Sequence, residues 1–203
     1  SSISALINPH TSISYYNYLT TMLNQYEVRD TTNGQSYVVC VYSGERKVFN
    51  DPFTWTSTGY SREHTYSHSW MPTFPCDNPE QPEYNDQHNL WPTNLQQANT
   101  PRSNLPLMDI DGNVVFTYLG GRVGYSGNQL VYEPRPEQKG NAARSIFYMA
   151  TCYNGQAGNN WQLPANQSQE SLKTWHFNDL PDNYEIARHE YAYTLQGNRN
   201  PYI

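Results

Sequence analysis

Positive charge is scarce in this chain. Its 203 residues include 12 Lys and Arg against 18 Asp and Glu, for a formal net charge of −6. That excludes a protein that clings to nucleic acid or anionic membrane over its whole surface, and leaves room only for a local positive field. Long apolar runs are missing as well. No stretch of about 18 apolar residues occurs, so no transmembrane helix is expected. Cysteine is sparse: Cys40, Cys76 and Cys152 make an odd set, in which one internal pair at most can form. Their spacing matches no zinc motif, and a small disulfide-stapled scaffold would carry more of them. Hydrophobic residues reach only 36% and the mean hydropathy is −0.83. What the chain has instead is rings. Aromatics make up 14%, with 18 tyrosines, and large rings let a core of modest residue count bury enough area to fold. Disordered chains are aromatic-poor. A single compact domain over residues 1–203 is expected. Low charge content and abundant Asn, Gln, Ser, Thr and Tyr point to an exported protein. No leader is visible at Ser1, and a removed export signal fits a start without Met.

The pattern along the chain reads as α+β, with helices outnumbering strands. Residues 14–26 place Tyr15, Tyr18, Leu19, Met22 and Tyr26 on one helical face. Asn33-Gly34 marks a turn, and residues 37–42 are β-branched and aromatic, as a strand requires. Residues 70–85 are proline-rich and irregular. Residues 93–99 form a short helix that Pro101 should end. Residues 114–118 read as a strand and residues 120–127 as a glycine-rich loop. Helices follow over residues 142–153 and 170–177. The last opens on a capping box, Asp182 with Glu185, closes at Gly197, and turns Tyr184, Ala187, Tyr191 and Leu195 inward.

The chemistry concentrates in three short stretches: Arg62-Glu63-His64, then Asp86-Gln87-His88-Asn89-Leu90-Trp91-Pro92, then Asn99-Thr100-Pro101-Arg102-Ser103-Asn104. Hydrolysis of a phosphodiester needs a base near neutrality beside the attacking water, and histidine titrates at about 6.5. It needs a cation where negative charge develops on the phosphate and the leaving oxygen. Magnesium suits that place, because it prefers oxygen ligands and keeps several waters. On an extended backbone Glu63 and His64 point to opposite faces, so carboxylate and imidazole can approach a phosphate from two sides. Asn99 offers a second oxygen ligand. His88 and Asn89 brace the base or the turn. Taken singly, a Glu-His pair or an Asn-rich helix is far more often ordinary surface.

The ordered series is similar to the active-site core of the bacterial endonuclease I family, nonspecific nucleases of the His-Me finger (ββα-metal) group. It continues downstream through Glu133-Pro134-Arg135, Lys139-Gly140, Ala142-Ala143-Arg144, Phe147-Tyr148-Met149, Trp175-His176 and Gln196-Gly197-Asn198-Arg199-Asn200-Pro201. The resemblance implies a ββα-metal core at about residues 55–105 within an α+β domain. It implies His64 as general base, with Asn89 and Arg144 in the catalytic group. Glu63 and Asn99 become the metal ligands, and Arg62, Arg102, Asn104 and Lys139 the substrate contacts. For Arg102 and Arg144 an internal ion pair is an equal alternative. The implied cofactor is Mg2+, with Mn2+ or Ca2+ able to substitute. The implied partner is DNA, with RNA as a further substrate, held by its backbone and cut to 5′-phosphate ends by a secreted bacterial monomer. Two departures stand out. Asn89 to Asn99 spans ten positions where the family pattern implies nine, and Gln138 stands where a basic residue is common. Two other readings remain: a non-catalytic extracellular binding module on the same fold, and a phosphodiesterase for a small nucleotide.

Other signals are weaker. His64 and His68 have the spacing of a helical zinc pair, but in a strand they would stand about 13 Å apart. Asp109, Asp111 and Gly112 start like a calcium loop but lack its terminal Glu, so a turn is expected.

Overall fold

The computed structural model of the chain describes residues 2–31, 33–75 and 81–203. Among the described residues the strands form three small antiparallel sheets. The first holds β1 (Arg29–Asp30), β2 (Ser36–Val39) and β3 (Arg46–Phe49), in that order. The second pairs β4 (Tyr60–His64) with β5 (Leu90–Asn94), and the third runs β6 (Val114–Tyr118), β7 (Gly121–Ser126), β8 (Gln129–Glu133). Helix covers 41% of the residues and strand 19%, so the α+β reading holds. None of the helices is long and apolar enough to cross a membrane among the described residues.

The ββα order is present within residues 55–105. β4 follows the short helix Trp55–Thr58, which Gly59 ends at φ 70°. Across the β4–β5 ladder Arg62 faces Pro92, Glu63 faces Trp91 and His64 faces Leu90. The helix after β5 departs from the expected 93–99. Pairing with Tyr60 and Ser61 keeps Thr93 and Asn94 in the strand. Asn94 then caps the helix, accepting from the N–H groups of Gln96 and Gln97. The first turn, Leu95–Asn99, is π-helical, and Thr100–Arg102 continues as α-helix through Pro101. A π turn holds more residues than an α turn, which gives the tenth residue between Asn89 and Asn99 its place. Pro101 does not end the helix because it lies in the first turn of the α-helical piece, where a missing N–H costs least.

Rings fill the core, as the composition requires. Tyr18, Tyr42, Tyr66, Tyr132, Tyr148 and Tyr153 are all fully buried. Cys40 and Cys152 are buried free thiols, and Cys76 lies outside the described residues, as do residues 77–80 of the proline-rich stretch.

Three further expectations need correction. Residues 14–26 form a 3-10 turn, Tyr15–Tyr18, followed by a π-helix, Leu19–Glu27. The wider turns rotate the buried face onto Tyr18, Met22, Leu23 and Glu27. The glycine-rich 120–127 is mostly strand β7. A Cβ on Gly121 would lie 2.3 Å from the Tyr132 hydroxyl and one on Gly124 2.8 Å from the Asn113 carbonyl, so these glycines serve close packing rather than a turn. The final helix, Asn183–Gln196, has the capping bond from Glu185 N–H to Asp182 and the left-handed Gly197. Its inward face, however, is Glu185, Arg188, His189, Ala192 and Gln196. Apolar periodicity misses this face because its polar groups are buried in pairs, Arg188 with Glu27 and Glu185 with Arg144, both at 2.6 Å. The helix expected at 142–153 runs Pro136–Cys152, with Pro136 in its first turn, and that at 170–177 runs Gln169–Asn178.

Candidate active site

A cleft of about 440 Å³ opens at the end of β4, lined by Arg62, Glu63, His64, Asn99 and Asn104 together with Tyr15, Ser67, His68, Phe74 and Tyr84. Asn89 builds its wall from behind. Its carbonyl accepts from Thr65 N–H at 3.1 Å, its side-chain oxygen accepts from Tyr66 N–H at 2.7 Å, and its amide donates to Tyr66 O at 3.2 Å. These bonds extend the β4–β5 pairing past His64 and fix the bend that follows. Because of that bend the His64 and His68 rings lie 5.9 Å apart, not the strand distance of about 13 Å. Asn89 itself is fully buried and acts as a brace.

His64 is held on two sides. Its ring lies parallel to Tyr15, 5.4 Å between centroids, and its Nε2 is 2.7 Å from the Tyr84 carbonyl. A carbonyl only accepts, so Nε2 carries the proton and Nδ1 keeps its lone pair. Nδ1 has no hydrogen-bond partner among the described residues. Burial lowers the imidazole to about 4, aided by the nearby His68, Arg62 and Arg102 and opposed by the Tyr84 bond. The ring is therefore neutral at pH 7, the form that can take a proton.

Glu63 divides its two oxygens. Oε1 accepts from the Tyr42 hydroxyl at 3.0 Å and pairs with Arg102 at 3.2 Å. Oε2 faces the Asn99 amide at 2.8 Å. Burial pushes the carboxyl up to about 7, and outweighs the opposing pull of Arg102 and the Tyr42 bond. Glu63 and Asn99 fit a hard divalent cation: one carboxylate and one amide, adjacent, buried on one side and open to the cleft on the other. Turning the Asn99 amide over exchanges its nitrogen for its oxygen at the same point.

Arg102 lies beneath the cleft, not in it. It is fully buried, and its guanidinium donates to Thr65 O at 2.8 Å, Ser67 Oγ at 2.9 Å and Ser103 O at 3.0 Å besides pairing with Glu63. Of the two alternatives for this residue, the geometry is that of the internal ion pair. Arg62 does reach the cleft, where its guanidinium lies 4.1 Å over Tyr15 and 4.8 Å from Trp55. Asn104 is exposed at the rim.

Two expected contacts are not brought to the cleft. Arg144 is fully buried, forked onto Glu185 at 2.8 and 2.6 Å, with its remaining donors on Asp179 O and Asn141. Lys139 bridges Asp109 and Glu133, 2.6 Å from each. Conversely, Tyr15, Tyr42, Tyr84 and Ser67 shape the site and escaped notice in the sequence. Tyr84 acts through its carbonyl, which no side-chain pattern reports. Tyr15 is the detectable one, on a predicted helix, but its ring reads as core.

A second polar group also meets the distances of a metal centre: His10, Asp86 and Cys152, with ligand atoms within 4.8 Å of one another. There Asp86 already accepts four bonds, from Tyr148, Tyr153, His88 N–H and Gln196, so its oxygens are occupied by the protein.

The comparisons with known proteins identify the family. The profile of the family described as Endonuclease I matches residues 1–203. The chain belongs to the endonuclease I family. An extracellular ribonuclease of Bacillus subtilis (strain 168) is 29% identical over 216 aligned residues, covering 100% of this chain and 69% of the relative. One of Bacillus amyloliquefaciens is 30% identical with the same coverage. This endonuclease I chain is thus a nuclease, an enzyme that hydrolyses phosphodiester bonds. In its cleft the family's implied base and metal ligands, His64, Glu63 and Asn99, stand side by side.

Proposed function

We propose that the protein is a divalent-metal-dependent, sequence-nonspecific endonuclease that cuts RNA and DNA and leaves 5′-phosphate ends. The observation that carries this reading is the state of two atoms at one cleft: His64 Nδ1, neutral and unpartnered among the described residues, and Glu63 Oε2, paired with an amide rather than a cation. His64 Nδ1 accepts the proton of a water that attacks phosphorus, while Tyr84 O keeps the ring from rotating and Tyr15 keeps it from tilting. Glu63 and Asn99 would hold Mg2+, which, when bound, stabilises the charge that develops on the phosphate and the departing 3′ oxygen. Arg102 and Tyr42 fix Glu63 in place. Arg62 supplies positive charge to a phosphate at the rim, and Asn104 a polar contact. Arg62 and Asn104 at the rim are suited to hold the backbone, which carries no sequence preference. The relatives are named extracellular ribonucleases, which supports RNA as a substrate and action outside the cell. The protein is proposed to act as a monomer.

The test is cleavage of supercoiled plasmid and of a long RNA with Mg2+, with EDTA and with His64→Ala. Cutting of either polymer that disappears in EDTA and in the variant is expected. Undiminished cutting by His64→Ala would remove the base from this scheme.

A further inference from the structure

A ladder of aromatic rings borders the cleft. Tyr16 and Tyr15 have centroids 5.8 Å apart, Tyr15 and Tyr84 4.8 Å, Tyr84 and His68 4.9 Å, and His68 and Phe74 5.0 Å. The inner rings pack around His64. The two ends do not share that burial: Tyr16 is 61% exposed and Phe74 52% exposed. Two large rings thus face solvent at the two ends of a row that passes the candidate base.

Charge is distributed the opposite way. Among the described residues lining the cleft, Arg62 is the only arginine or lysine. It is already engaged with the Tyr15 and Trp55 rings and donates to Tyr15 O at 3.4 Å. Several cations elsewhere are tied to carboxylates, Lys139 and Arg122 to Glu133 and Arg199 to Glu190, each at 2.6 Å, and Arg29 and Arg46 lie over the rings of Tyr184 and Tyr37. The net charge is −6. A duplex is held mainly by neutralising several phosphates at once, and this cleft has little with which to do so. Beside its serines and asparagines, it offers the exposed rings at the two ends of the row. A base can stack on a ring only when its own face is free, and within a duplex those faces are covered by neighbouring bases.

We infer that the enzyme takes an unpaired strand of nucleic acid, and that bases flanking the scissile phosphate stack on the exposed rings of Tyr16 and Phe74. The inference rests on the proposed function for placing the scissile phosphate at His64. Every base has such a face, so the contact is compatible with cutting at any sequence. A paired region must open before it enters. Tyr16 and Phe74 set affinity and strand preference and leave the proton transfer to His64.

The test separates binding from turnover. Fluorescence anisotropy is measured for a labelled single-stranded oligonucleotide, for the same strand annealed to its complement, and for the single strand with abasic sites in place of bases. The proteins are wild type in EDTA, Tyr16→Ala, Phe74→Ala and the conservative Tyr16→Phe and Phe74→Tyr. The single strand is expected to bind at least tenfold tighter than the duplex. Each alanine variant should weaken single-strand binding by roughly five- to tenfold, from the usual strength of a base–ring stack. The ring-preserving variants should restore it, and abasic strand should not distinguish any of the proteins. In Mg2+ the alanine variants should raise KM with kcat changed less than about twofold. Equal affinity for strand and duplex, or alanine variants that bind like wild type, overturns the inference. Metal-independent cleavage, or an active His64→Ala, overturns the proposed function instead and leaves the binding comparison to be judged on its own.

Discussion

The cleft and the interior beneath the final helix are built from the same residue types, and their charged groups are partnered differently. In the interior, Glu27 is paired with Arg188 and accepts from Tyr18 and Tyr184, Glu185 takes the fork of Arg144, and Asp86 accepts four bonds. A buried charge is tolerated only when its lone pairs and protons are met in this way. In the cleft, the protein anchors one side of each group and turns the other side toward the cleft. Glu63 is anchored through Oε1 while Oε2 meets an amide, and His64 is anchored through Nε2 while Nδ1 stays open. What separates the two regions is the partner: the buried carboxylates of Glu27 and Glu185 meet arginines directly, while Glu63 keeps one oxygen on a neutral amide.

That contrast can be broken by substitution. The largest effect should come from the proposed metal ligands. Glu63→Gln and Asn99→Ala should each raise the Mg2+ concentration for half-maximal cleavage by about 10-fold or more, in a metal titration of initial rates. An Asn99→Ala titration that overlays wild type would mean that the π-helical turn does not deliver the ligand. Next, Arg144→Met should lower unfolding free energy by about 3–5 kcal/mol, since it strands Glu185 without its partner. Urea denaturation reads this, and kcat of the folded fraction should stay near wild type. A selective loss of kcat at unchanged stability would return Arg144 to the catalytic group.

A third prediction concerns acid. Burial lowers His88 to about 4, with His189 and Arg188 adding to the shift and Asp86 and the Asn198 carbonyl opposing it. A folded value below the unfolded 6.5 means that the unfolded chain binds the proton first. The corresponding stability is fully present above pH 6.5 and is lost as pH falls toward 4, at up to about 1.4 kcal/mol per pH unit. Thermal melts of wild type across that window should fall more steeply than those of His88→Gln; parallel slopes would show that His88 is not kept neutral. The smallest effect is expected at the helix cap. Asn94→Ala should cost about 1 kcal/mol of stability, because Gln96 and Gln97 lose their acceptor. Its sharper use is a comparison of metal affinity, which should weaken slightly if the cap also sets the position of Asn99.

Much of the architecture can be read along the chain, for reasons that are local. Asp182, Glu185 and Gly197 mark both ends of the last helix because caps act within one turn. Which face that helix buries is not legible, because Arg188 and Glu185 find their partners in Glu27 and Arg144, 161 and 41 residues away. The same limit explains Gly121 and Gly124. A glycine needed for a tight approach by Tyr132 or Asn113 has the same signature as a glycine needed for a turn.

The sequence by itself determined the order of the chemical motifs and the family they belong to, and it nominated the proposed trio His64, Glu63 and Asn99. Those rest on residue type and spacing, which the chain displays directly. Only the tertiary structure decided what each charged group faces. It put Arg144 and Lys139 into ion pairs away from the cleft, set Arg102 under Glu63, turned Nδ1 of His64 outward, and brought Tyr15 and Tyr84 to the base. An arginine is a substrate contact or a buried brace according to where its five donors end, and that depends on residues far away in sequence.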